Sequence, residues 1–115
     1  MNTVTVGVNS LAGAKARLSE AMGGKAHPGG ARIDFATPEL LWRVLAPNRL
    51  AILRVMSGAG PLALREIARR VDRDVKGVHT DVHALLHAGV LDRGAAGFVF
   101  PFDAVRVDFT LKAAA

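Results

Sequence analysis

Residues 64–89, LREIARRVDRDVKGVHTDVHALLHAG, carry two helical apolar patterns with only Asp72-Arg73-Asp74 between them, and this closeness limits what the chain can become. Leu64, Ile67, Ala68 and Val71 fall at i, i+3, i+4 and i+7, one face of a helix. Val75, Val78, Val82, Leu85 and Leu86 repeat the pattern. Asp74 is placed to cap the second helix, because its carboxylate can accept from the free amides of the first turn. Two apolar faces joined by so short a turn must share a core at a steep angle. That is helix-turn-helix geometry, with the second helix, about Val75–Leu86, turned outward.

On a wheel of about 100° per residue the outward face of that helix holds Lys76, Gly77, Thr80, His83, Ala84 and His87, with no acid among them. Asp81 falls on the far flank and His79 near the core boundary. The first helix turns Arg65 and Arg69 to one side and Arg70 to another, and Arg73 follows in the turn. A nucleic-acid backbone is held by such cations, and base edges are read by short polar side chains. Arg65, Arg69 and Arg73 are therefore the expected phosphate contacts, and Lys76, Thr80 and His83 the expected base-edge contacts. A solvated charged face on an ordinary helical hairpin is the competing reading.

The 115 residues suit one compact domain with a small appendage, and 50% apolar content can build a core. Cysteine is absent, which excludes disulfides, thiolate chemistry and Cys-type zinc sites. No apolar run approaches membrane-spanning length, and no secretory leader pattern opens the chain, so no membrane partner and a cytoplasmic location are expected. The net charge of +5 favours an anionic partner. No phosphate-cradling glycine loop, nucleophile elbow, paired carboxylates or HExxH motif is present, so the expectation is a non-enzyme without catalytic residues or cofactor. His79, His83 and His87 at i, i+4 and i+8 could suggest a metal sensor. Their rings spread over about 80° of the wheel and no acid completes a site, so no metal is expected.

In order, TVTVGV at residues 3–8 alternates as a strand, with Val4, Val6 and Val8 on one face. A helix is expected over about Leu11–Met22, then a glycine-rich linker, GGKAHPGG, at 23–30. Residues 1–30 would thus form a strand-helix extension, too small to fold alone, that packs on the main domain, on another copy or on a partner protein, with a dimer or partner contact as its expected role. Residues 31–115 would form the main domain. There RIDF at 32–35 is a short strand, and Thr37-Pro38-Glu39 starts a helix carrying Trp42 as a packing anchor. Pro47 opens a helix to about Ser57 with Leu50, Leu53 and Met56 inward. After the central pair, Gly89 stops the second helix. Val90–Arg93 and Phe98–Phe100 make a hairpin that contributes one cation, Arg93, as a further phosphate contact. Val105, Val107, Phe109 and Leu111 alternate as a last strand, able to pair with the first within the chain or across a dimer.

The run PNRLAILRVMSGAGPLALREIARRVDRDVKGVHTDVHALLHAGVLDR resembles the MarR-like winged-helix regulators of bacteria and archaea. Arg73-Asp74, Val78, Asp81-Val82 and Gly89-Val90-Leu91 carry the most specific part of the resemblance. VTVGVNSLAGAKARLSEA and FATPELLW are similar to versions found as antitoxins beside small ribonuclease-like toxins. Three positions depart from the pattern: Ala46 for a capping threonine, Asp72 for a turn glycine, and Gly77 within the outward helix. The resemblance implies an α+β winged helix-turn-helix that binds double-stranded DNA as a homodimer, represses its own operon and neutralises a small toxin. A protein-interaction module on the same scaffold, or a metal-responsive repressor, are the alternatives.

Overall fold

The computed structural model describes residues 2–8 and 31–111. The expected helix at Leu11–Met22 and the linker at 23–30 lie outside the described residues. The fold is α+β, with four helices and two sheets among the described residues. The elements run β1 (Thr3–Val8), β2 (Ala31–Phe35), α1 (Pro38–Val44), α2 (Pro47–Met56), α3 (Leu64–Val71), α4 (Val75–His87), β3 (Asp92–Gly94), β4 (Gly97–Val99) and β5 (Ala104–Asp108). None of these helices is long and apolar enough to cross a membrane.

β1 is the middle strand of a parallel sheet ordered β2-β1-β5. Val6 stands opposite Ile33 on one side and Val107 on the other. Parallel neighbours need long connections, and here the α1–β4 region separates β2 from β5. Val4 and Val6 are buried in the same core as the helices, so of the three places open to the first strand β1 takes the one on the main domain. On the opposite face Gly7 leaves room for Arg32, which bonds Asp34 at 3.0 Å; a Cβ on Gly7 would lie 2.6 Å from the Arg32 guanidinium. β5 ends at Asp108, earlier than the Leu111 of the alternation, because its ladder with β1 is used up at Gly7. Phe109 then turns against Trp42, ring centroids 6.0 Å apart.

The helices start and stop where local chemistry directs. Thr37 caps α1, its hydroxyl accepting from the Leu40 amide at 3.1 Å. Ala46 begins α2 with no side-chain cap, and Pro47 at the first position compensates in part. Asp72 ends α3 in the left-handed region, φ 56° and ψ 53°. α4 closes at Gly89, φ 81°, with Val90 N–H donating to the Leu85 carbonyl at 2.9 Å. Ile67, Val78, Val82 and Leu85 are buried together with Ile52, Leu53 and Met56 of α2. Two apolar expectations fail. Val75 is 43% exposed, because it sits in the first turn of α4 beyond the reach of the core. Trp42 is 50% exposed, since α1 presents Leu41 inward and leaves the indole at the rim of the layer.

The second sheet is the β3–β4 hairpin, joined through Phe98 to Leu62 ahead of α3. Phe98 N–H donates to the Leu62 carbonyl at 2.9 Å, and Leu62 N–H returns a bond at 2.8 Å. Gly97 makes this approach possible. Its φ is 132°, and a Cβ there would stand 2.5 Å from the Leu62 carbonyl oxygen.

Candidate nucleic-acid interface

α4 is positioned by its two ends. At the N-terminus Asp74 accepts from the Gly77 amide at 2.9 Å, and at the C-terminus Gly89 turns the chain into the hairpin. Lys76, His79, Thr80 and His87 are exposed and His83 is half-buried. His79 therefore faces solvent, away from the core boundary where the wheel placed it. The Thr80 hydroxyl donates back to the Lys76 carbonyl at 3.3 Å, which sets its side chain along the helix.

The histidines form a ladder. The His79 and His83 rings stack with centroids 4.0 Å apart, and His87 meets His83 edge-on at 6.5 Å. His83 Nδ1 lies 2.9 Å from the His79 carbonyl oxygen. A carbonyl can only accept, so Nδ1 carries a proton and Nε2 is left for an outside partner. No group of three or more metal-ligating side chains capable of holding a metal ion occurs among the described residues. His83 also packs edge-on against Phe98 at 5.8 Å, and the Arg93 guanidinium lies over that same ring, 5.5 Å from its centroid. Phe98 thus bridges the hairpin cation to the middle of α4, a link that sequence spacing does not signal.

The charges sort into held and free. Asp81 accepts from Arg49 Nε at 3.0 Å and from Arg73 Nη1 at 2.8 Å, and its side chain is only 13% exposed. Arg49 also donates to the Arg43 and Val44 carbonyls at 3.1 and 3.4 Å, so it ties the end of α1 and the start of α2 to α4. Arg73, expected on phosphate, is spent chiefly on this partly buried network. Arg69 is clamped by Glu66, which also accepts from Arg70 Nε at 3.0 Å. The hydrogen bonds from Arg69, then Arg70, and their charges hold the Glu66 carboxyl at about 2, well below its ordinary 4.5. The same Glu66 hydrogen bond raises Arg69 above its ordinary value. Arg65, Lys76 and Arg93 form no ion pair among the described residues and are exposed. The structure brings Lys76, Thr80 and His83 onto one helix and Arg93 beside them. Arg65 and Arg69 stand on α3 without a bond to any α4 side chain among the described residues.

The HVO_A0114 family model matches residues 44–107. The chain belongs to the HVO_A0114 family. The HVO_A0114 match begins at the last residue of α1 and ends within β5, so it takes in the helical pair, the hairpin and the last strand. β1 and β2 fall outside it, and the β5 of the HVO_A0114 region is completed here by a strand from beyond that region. No curated protein and no solved structure matches the chain.

Proposed function

We propose that the chain is a sequence-specific DNA-binding repressor of the winged-helix type, in which α4 enters the major groove and the β3–β4 hairpin is the wing. The reading rests on one observation: Asp81, the acid within α4, is turned onto Arg49 and Arg73, so no uncompensated carboxylate shares the stripe of Lys76, Thr80, His83 and His87. A polyanion can approach this stripe without meeting a like charge. Lys76, Thr80 and the free Nε2 of His83 are the base-edge candidates; Arg65, Arg93 and, with part of its charge compensated by Glu66, Arg69 hold phosphates. The MarR-like resemblance extends the reading to a cytoplasmic homodimeric antitoxin that represses its own operon and neutralises a small ribonuclease-like toxin. The exposed Trp42 and Leu40 on α1 favour a second, compatible role as a protein-interaction module that grips such a partner.

The test is binding of the purified protein to its own promoter fragment and to an unrelated duplex at two salt concentrations. Preference for the promoter, with affinity falling steeply as salt rises, supports the repressor. Arg65→Ala should weaken binding to both duplexes and lower the salt slope by about 1, whereas Thr80→Ala should change the preference between them. Equal, weak binding to both, unaltered by Lys76→Ala, would overturn the assignment of α4.

A further inference from the structure

β5 lies at an edge of the parallel sheet, and among the described residues nothing pairs with its outer side. Val107 points to the core-facing side of the sheet opposite Val6, yet is 41% exposed. Arg106 and Asp108 point to the other side and are 71% and 56% exposed. Among the described residues their ion pair is with each other, at 3.7 Å along the same strand. Edge strands are usually guarded by charges that repel a second strand. Here the two charges have opposite sign and are placed symmetrically about Val107.

We propose that β5 is a dimerisation edge, where two copies pair their β5 strands antiparallel about a two-fold axis at Val107 and join their sheets into one. In that register Arg106 stands opposite Asp108 of the second copy and Asp108 opposite its Arg106. On the core-facing side Val107 meets its own counterpart, and Val105 stands opposite Phe109, which lies just past β5 and keeps its contact with Trp42 of its own copy. The pairs between residues 105 and 109 are then opposite in charge or apolar, the two kinds that stabilise antiparallel neighbours. A parallel approach in equal register would set like charges side by side. The groove between α2 and β5, whose apolar lining is Leu50, Leu53, Val105 and Val107 and whose rim carries Arg54, Ser57 and Asp103, continues this surface. The inference gives an interface to the homodimer of the proposed function, and it is tested without DNA.

The experiment is sedimentation of the full chain and of two charge variants, R106D and D108R. Both positions are exposed, so circular dichroism should show the fold retained. The parent should dimerise. Each variant alone should dimerise at least about tenfold more weakly, since both symmetric pairs become like-charged. An equimolar mixture of the two should recover the dimer, because aspartates then face arginines at both pairs. A monomeric parent, single variants as dimeric as the parent, or a mixture no tighter than its components would each overturn the proposal. Dimerisation without promoter preference would leave this interface standing and remove the repressor; promoter binding by a monomer would do the reverse.

Discussion

At the scale of single residues, several positions in this chain have a job set by backbone shape. Asp72 is the one non-glycine residue with positive φ among those described, and it ends α3 there without a Cβ-free backbone. The left-handed region costs an L-residue about 1 kcal/mol, and aspartate tolerates it better than most. Asp72→Gly should therefore raise stability by up to about 1 kcal/mol, read as a higher urea midpoint with an unchanged slope. Gly77 answers to a different constraint. Its missing Cβ leaves space for the Arg73 guanidinium and the Asp74 carboxylate, each 3.1 Å from where that atom would be. From the sequence this glycine reads as drift or as room for close approach to DNA; the Arg73 and Asp74 side chains are neighbours that spacing does not name.

At the scale of elements, α3 carries its arginines in a restrained form. Glu66 compensates Arg69 and Arg70, so α3 offers less free positive charge than its sequence suggests. Glu66→Gln should release both arginines, strengthen binding to any duplex and steepen the salt dependence, as fluorescence anisotropy would report. The same residue sets a pH window. Its carboxyl sits at about 2 in the fold against an ordinary 4.5. The stabilising pairs are therefore whole above pH 4.5 and are lost as pH falls towards 2. In acid titration the parent should lose stability across that window and Glu66→Gln should lose less. The effect is small because these pairs meet solvent. α3, the turn and α4 were legible in the sequence because their information is local: apolar spacing, a capping aspartate, a closing glycine. The hairpin was legible for the same reason. The Arg93–Phe98–His83 contacts were not, because ring packing between separate elements leaves no periodic trace.

At the scale of the whole molecule, Asp81 joins regions that are far apart in sequence. Arg49 reaches it across 32 positions and Arg73 across eight, and Arg49 carries the link on to the end of α1. Removing the charge strands two partly buried guanidinium groups. Asp81→Asn should lower unfolding stability by about 2 kcal/mol, and adding Arg49→Ala should cost less than the sum of the two single changes. Equal additivity in denaturant melts would show the groups to be independent. Nothing in the spacing of Asp81 named Arg49 as its partner. The alternation of residues 105–111 did offer a partner for the first strand, and β5 takes that place within the chain, but the seat of β2 on the other edge of β1 was hidden. Alternation marks a strand and its faces, but the choice of neighbour depends on how the helices bring the ends together.

The seating of β1 between β2 and β5 also sets an order in time. About a hundred residues separate the end of β1 from β5, and at ~5–20 residues per second the ribosome takes several seconds to deliver the second neighbour. The helices can form from local contacts as they emerge, while one edge of β1 waits unpaired, open to strands of other nascent chains. Completion of the sheet follows synthesis of all four described helices, and the rate of translation sets how long that edge of β1 stays open.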